Sequence, residues 1–259
     1  NLKALDGFRF IEMDVSDADD VKTLVQTNGV QRIVHLAAQA GVRYSIENPF
    51  AYQKSNLQGH LSLLEASRHA HNFQHLVYAS SSSVYGDKPM GGEGFTEEEP
   101  ATDPVSLYAA TKRSGELMSQ SYAKLYGFPM TGLRFFTVYG PWGRPDMAYF
   151  GFTKKILAGE SIEVYGQGKM ARDFTYIDDI VDGILGALDH PPERHGHRIL
   201  NIGDSRPVGL MDMIGALEEA LGVEAKKIMR PMQPGDVTAT YADVSKLHAL
   251  TGYAPKVML

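Results

Sequence analysis

Tyr108 and Lys112 stand four residues apart in Tyr108-Ala109-Ala110-Thr111-Lys112, a spacing that puts a phenol and an ammonium on one helix face about one turn apart. An ammonium beside a phenol favours phenolate and draws a reference pKa of about 10 towards neutrality. Tyr108 is therefore a candidate general base. The pair alone is common in helices, where it is also a plain surface contact, so its surroundings decide. Upstream lies Tyr78-Ala79-Ser80-Ser81-Ser82-Ser83-Val84-Tyr85-Gly86, where a His75-Leu76-Val77-Tyr78 strand runs directly into consecutive hydroxyls. A flexible serine linker has no such strand before it and no Val-Tyr-Gly after it.

The elements that must position these groups follow from an alternation of short β-branched runs with helical patterns, the form of βαβ units and a parallel sheet buried on both faces. Strands are expected at Phe8 to Met13, Arg32 to Ala37, His75 to Ala79 and Met130 to Phe135, with helices at Ala18 to Asn28, Asn56 to Ala70 and Leu107 to Tyr126. This is an α/β doubly wound core. His35 to Ala38, Ser80 to Ser83 and Phe136-Thr137 then fall at the carboxyl edge of the sheet, where open α/β proteins bind ligands. Beyond Pro141 the pattern loosens, with strands expected at Ile162 to Tyr165 and Ile199 to Ile202 and helices at Phe152 to Ala158, Ile180 to Leu188 and Leu210 to Leu221. Residues 1–140 thus read as one α/β core, and 141–259 mainly as a smaller lobe with segments returning to that core. Gly86 to Pro104, with Gly91-Gly92 and Glu97-Glu98-Glu99, reads as a solvated loop.

Composition narrows the classes. The 259 residues are 43% hydrophobic and 22% charged, which suits a globular chain with a sizeable core. A net charge of -6 gives no reason to expect nucleic acid or an anionic membrane as partner. There is no cysteine, so no disulfide or thiolate site, and a cytoplasmic location is the default. No apolar run approaches the roughly 20 residues of a membrane span. The nine histidines show no ligand spacing, and Asp178-Asp179 suits a helix N-terminus; no metal is expected.

Together the strand end at His35-Leu36-Ala37-Ala38, Asn56, Ser-Ser-Ser-x-Val-Tyr-Gly, Tyr108/Lys112, Arg134 to Pro141, Arg172-Asp173-Phe174 and Pro234-Gly235-Asp236 resemble the extended short-chain dehydrogenase/reductase family of sugar-nucleotide epimerases, dehydratases and decarboxylases. The resemblance covers almost the whole chain and implies a Rossmann-type fold, with 1–140 a partial dinucleotide-binding domain and 141–259 mainly a nucleotide-sugar-binding substrate lobe, NAD as cofactor, a UDP-sugar substrate and a homodimer, pairing the helices at Asn56 to Ala70 and Leu107 to Tyr126. It makes Ser81 the hydroxyl on the reacting sugar oxygen, Tyr108 the base, and Lys112 the group that binds the nicotinamide ribose. It assigns Asp14 and Val15 to the adenine side, Leu36, Ala37, Ala38 and Gln39 to the pyrophosphate loop, and Asn56, Ser80 and Phe136 to the cofactor's active-site end. On the substrate side it assigns Arg43, Ser82, Ser83, Thr137, Arg144, Ala148 and Gln233, with Val164 and Tyr165 beside the uracil, Arg172 on the diphosphate and Asp236 on the ribose. Asp14 and Asn56 read equally well as helix caps, and Arg172 as a surface partner of Asp173.

Residues after Ser81 divide the reactions within that family. Dehydratases carry Asp-Glu there and decarboxylases a Glu before Val-Tyr-Gly, whereas Ser82 and Ser83 are neutral. The strings Gln39 to Ser45 and Gly140 to Ala148 resemble the UDP-glucuronate 4-epimerases. Inversion at C4 of UDP-glucuronate through a 4-keto intermediate is therefore expected, an isomerase activity. UDP-glucose/UDP-galactose 4-epimerisation, UDP-glucuronate decarboxylation or sugar-nucleotide dehydration, and non-catalytic nucleotide-sugar binding stand as alternatives. The family's opening Gly-x-x-Gly-x-x-Gly turn and ribose-binding acid are missing, and Gly166-Gln167-Gly168 does not replace them. Residue 1 is thus expected some tens of residues into the domain, with a final helix beyond Leu259 and weak dinucleotide binding by this chain.

Overall fold

The computed structural model describes residues 2–87, 94–233 and 238–259. The first half contains α1 (Ala18–Thr27), β1 (Arg32–His35), α2 (Val42–Glu47), α3 (Pro49–Tyr52), a π-helical segment (Gln53–Gln58), α4 (Gly59–Arg68), β2 (His75–Ser81), a 3-10 turn (Ser82–Tyr85) and α5 (Leu107–Tyr126). It continues through β3 (Met130–Phe135), β4 (Thr137–Tyr139), α6 (Ala148–Leu157), β5 (Ser161–Val164), β6 (Ala171–Tyr176) and α7 (Ile177–Asp189). The last elements are β7 (His197–Ile202), β8 (Pro207–Gly209), α8 (Leu210–Leu221), β9 (Lys226–Met229), β10 (Ala239–Thr240) and α9 (Ser245–Thr251).

A parallel sheet in the order β1-β2-β3-β7 forms the centre. Successive strand residues point to opposite faces, and both faces are apolar. Leu76, Tyr78 and Met130 pack against Leu64 of α4 and Ala123 of α5. Val77, Leu133, Leu200 and Ile202 pack against Ile180 and Ile184 of α7 and Leu247 of α9. The register sets Ser81 beside Phe135 and Phe135 beside Ile202, so the strands end level and their following residues share one edge. Beside that edge, β6 pairs with β4, β8 and β10, while β5, β9, α6 and α8 enclose a separate cluster of Ile156, Ile162, Val164, Ile214 and Ala225.

Local chemistry explains the element ends. Asp17 caps α1 by accepting from the Asp20 N–H, and Ser106 caps α5 by accepting from the Ala109 N–H; both satisfy otherwise orphaned donors. Gly127 ends α5 in the left-handed conformation, which glycine adopts without a Cβ penalty.

Three expectations are corrected. Residues 8–13 form no strand, and Phe8, Phe10 and Ile11 are exposed. A strand needs a neighbour for its backbone groups, and among the described residues β1, the end of the sheet, pairs only with β2. Leu36 and Ala37 leave the sheet after His35. The described part of 86–104 is not merely solvated: Phe95 is 2% exposed, bridges Ala242, and stacks on Tyr85 at 4.5 Å. Its polar groups are satisfied too, since Glu97 accepts from the Asn201 N–H at 2.7 Å. Gly91-Gly92 and Pro234-Gly235-Asp236 lie outside the described residues.

Candidate active site

The carboxyl end of β2 and the first turns of α5 meet at the sheet edge. The Ser81 hydroxyl accepts from the Ser83 N–H at 3.2 Å, capping the 3-10 turn that presents Ser82 and Ser83 beside it. The Tyr108 phenol and Ser81 share one cavity wall, close enough for the serine hydroxyl to favour the phenolate. One turn along α5, Lys112 donates from Nζ to Ala79 O at 2.8 Å, and its ammonium lies 6.0 Å from the Tyr108 ring centre.

The electrostatics differ from the expectation of an ammonium-lowered phenol. Burial pushes the Tyr108 phenol above its ordinary value, opposed by the Ser81 hydroxyl and by Arg144. Burial also lowers Lys112, to about 8, and His35 beside it, to about 4, since desolvation penalises a charged form.

Tyr108 and Ser81 open onto a cavity of about 440 Å³. Ser82, Ser83 and Thr137 supply hydroxyls to its wall, Arg144 a guanidinium, and Phe135, Phe136, Val138 and Met147 apolar surface. No carboxylate lines it among the described residues. Arg144 is bidentate to Asp146, at 3.0 and 2.8 Å, on a loop that begins at Gly140. That glycine has φ +133°, and a Cβ there would lie 2.6 Å from the Ile177 side chain, so only glycine lets the chain turn so close to α7. Trp142 stands fully exposed at the rim. Ala148 opens α6 just beyond the loop.

The residues assigned to the cofactor form a second group along the same edge. Ala37, Ala38, Asn56, Thr111 and Lys112 line one small cleft. Asn56 accepts from the Gln39 N–H at 2.8 Å and donates to Gln39 O and to Thr111 Oγ1, both at 3.0 Å. It therefore ties the loop after β1 to α5, and its reading as a helix cap does not hold. Asp14 caps nothing either: it accepts from Ser16 and pairs with Lys54 at 2.8 Å, while Val15 packs near Gly59. Leu36 is exposed. The Ser80 hydroxyl is committed to Glu116 at 2.6 Å, and the Phe136 ring lies among Tyr85 and Phe95.

Arg43 of α2 lies over the Tyr165 ring at 5.7 Å, which joins α2 to the residue that follows β5. The Val164 side chain is fully buried among Ile156 and Ile162, and its carbonyl accepts from the Arg230 N–H at 2.8 Å. Arg172 donates to Ala171 O at 2.8 Å. Asp173 points inward instead of pairing with it, accepting from the backbone N–H groups of Asp204, Ser205 and Ala242. The Gln233 Oε1 is buried with no partner among the described residues, and Asp236 lies outside them.

Sequence reasoning missed Tyr52, Glu116 and Arg134. Tyr52 is wholly buried, donates its hydroxyl to the Ala40–Gly41 carbonyls, and meets the Tyr108 ring edge-on at 6.2 Å. Its four-residue spacing from Asn56 was the available signal, as was that of Glu116 from Lys112.

Residues 1–203 match the model of the NAD dependent epimerase/dehydratase family. The chain belongs to that family. It is 46% identical to UDP-glucuronate 4-epimerase 3 of Arabidopsis thaliana over 96% of this chain and 61% of that protein, and 44% identical to a probable UDP-glucuronate 4-epimerase of Rhizobium meliloti, over 99% and 79%. The crystal structure of UDP-glucuronic acid 4-epimerase from Bacillus cereus, in complex with UDP-glucuronic acid and NAD, superposes with a TM-score of 0.91 at 36% identity, covering 99% of this chain and 79% of that one. The family, the α/β fold and the parallel sheet accord with the sequence reading. No helix among the described residues is long and apolar enough to cross a membrane.

Proposed function

We propose that this protein inverts C4 of UDP-glucuronate to give UDP-galacturonate, using NAD. The observation that carries the reading is the wall of the cavity at Tyr108: the hydroxyls of Ser82, Ser83 and Thr137 and the guanidinium of Arg144, and no carboxylate among the described residues. Such a lining suits an anionic sugar and lacks the acid that elimination of water requires. UDP-glucuronic acid in the related Bacillus cereus structure supports the same substrate.

The residues present fit the nicotinamide end of NAD. Lys112 uses one of its three donors on Ala79 O and faces a cleft walled by the small side chains of Ala37 and Ala38; Asn56 sets the backbone of Gln39 alongside. When bound, NAD supplies a hydride acceptor that returns the hydride after the sugar has turned. Tyr108 takes the proton of the 4-hydroxyl as the hydride leaves C4, and gives it back when the opposite face is reduced. Ser81 donates to the same oxygen and holds it against the phenol. The 4-keto intermediate is a β-keto acid, which loses carbon dioxide when its carboxylate aligns with the carbonyl π system. Ser82, Ser83 and Thr137 hold that carboxylate out of alignment.

The test is incubation with UDP-glucuronate and NAD and no further oxidant, with products resolved by proton NMR. UDP-galacturonate alone supports the reading; a UDP-pentose from the wild type overturns it. Ser82→Ala/Thr137→Ala is expected to divert at least a tenth of the turnover to pentose, and a double variant that makes none removes the carboxylate role of the hydroxyls. We extend the proposal to a cytoplasmic homodimer, on the cysteine-free composition and on the exposure of Leu61 of α4 and Leu117 and Leu125 of α5.

A further inference from the structure

One charged cluster lies directly beneath the catalytic edge and takes no part in the chemistry above. Glu116 is 1% exposed and occupies the same face of α5 as Lys112 and Tyr108, four and eight residues further along. Its carboxylate accepts from Ser80 Oγ at 2.6 Å, from Arg134 Nε and Nη2 at 2.8 and 2.9 Å, and from Arg113 Nη1 at 2.7 Å. Ser80 and Arg134 are register partners on β2 and β3, each one residue before its strand ends. Arg134 in turn lies over the Tyr85 ring at 4.5 Å, and Tyr85 donates to Asn201 of β7 at 2.7 Å. One carboxylate therefore ties α5 to the ends of two strands and, through Tyr85, to a third.

We infer that Glu116 is a positioning residue: with Arg134 and Ser80 it sets the distance between the Tyr108/Lys112 face of α5 and Ser81 at the end of β2. The inference rests on the epimerase reading for its catalytic consequence, though not for its geometry. Lower on the same interface the contacts are apolar, Leu64, Leu76 and Met130 against Ala123, and such contacts tolerate small sliding. Beneath the reacting groups the contact changes to three directional bonds from the strands on one carboxylate, with a fourth from Arg113 of α5 itself. A buried ion pair is a poor source of net stability compared with apolar packing, so register is what it supplies. A misplacement of about 1 Å at reacting groups is worth about a hundredfold in rate.

The test compares the full-length wild type, Glu116→Gln and the charge-free pair Glu116→Leu/Arg134→Met. Backbone hydrogen exchange is followed by mass spectrometry, and kcat and KM for UDP-glucuronate are measured with and without Ser81→Ala. In Glu116→Gln, exchange in segments 79–83 and 107–112 is expected to quicken about tenfold while α6 and α8 are unchanged; kcat falls about tenfold to a hundredfold and KM stays within about threefold. On the Ser81→Ala background the same change costs little more, because its effect runs through the Ser81–Tyr108 contact. If Glu116→Gln does not fold, the apolar pair, which leaves no buried unpaired charge between the two positions, must show the same exchange and the same loss of kcat. Unchanged exchange, equal losses on both backgrounds, or wild-type kcat in the apolar pair overturns the inference. A wild type that leaves UDP-glucuronate untouched overturns the proposed function instead, and the exchange comparison then decides the positioning role alone.

Discussion

Lys112 carries a cost that its site requires. Burial lowers its pKa from 10.5 to about 8, so the folded pKa lies below the unfolded one. Between pH of about 8 and 10.5 the unfolded chain binds more protons than the folded one, and stability rises with pH across that window. Below about 8 both states are protonated, and the penalty for burying the ammonium is constant and full. Lys112→Met is therefore expected to melt above the wild type at pH 7, with the gap shrinking from pH 8 and gone near 10.5. Thermal melts of both proteins from pH 6 to 10.5 measure this; a gap independent of pH would show that burial of the charge is not its source. The buried ammonium also suits the proposed role, because among the described residues its hydrogen-bond partner is the Ala79 carbonyl, and no carboxylate competes for the donors a ribose hydroxyl would need.

At the scale of elements, the π-helical segment Gln53–Gln58 and the residue before it fix the loop after β1. There Tyr52 holds the Ala40–Gly41 carbonyls and Asn56 holds both backbone groups of Gln39. Asn56→Ala leaves these groups and Thr111 short of a partner. It is expected to cost about 1–3 kcal/mol of stability and to weaken NAD binding, readable by urea denaturation and by calorimetry of the purified protein. An unchanged denaturation midpoint would mean that water replaces the side chain at no cost. This segment also shows what the sequence made legible. The helix at Leu107 to Tyr126 and the strands at His75 and Met130 were readable because long periodic runs and serine caps agree with the tertiary packing. Tyr108, Lys112 and Ser81 were readable because each ends or opens such an element. The pairing of β4, β6, β8 and β10 was not, since strands of two to six residues carry too little periodicity and take their definition from distant neighbours. Residues 8–13 show the converse failure: an apolar run is a strand only where something pairs with it. Phe95 and Glu97 were misread because an acidic, glycine-rich stretch looks solvated until Asn201 and Ala242 are seen to receive it.

Over the whole molecule, exposed apolar side chains are scattered, and one set of them lies on two helices that pack together. The catalytic edge is lined by hydroxyls and aromatic rings, whereas the outer surfaces of α4 and α5 expose Leu61 at 40%, Leu117 at 50% and Leu125 at 67%. These two helices already pack against one another and against the sheet, so their outward leucines have no role in the fold of one chain. In the proposed homodimer each copy covers the other's leucines, and α5 carries Tyr108 and Lys112 on its inward face, so dimerisation stiffens the helix that holds the catalytic pair. Leu117→Lys/Leu125→Lys places two charges in that interface on each copy, four in all, where desolvation without partners is costly. The double variant is expected to elute at monomer mass in size-exclusion chromatography with light scattering, at concentrations where the wild type elutes at twice that mass. Its circular dichroism should be unchanged, because both positions are solvent-facing within one chain. A wild type of monomer mass, or a variant that still pairs, would place the contact elsewhere on the surface and detach the stiffness of α5 from assembly.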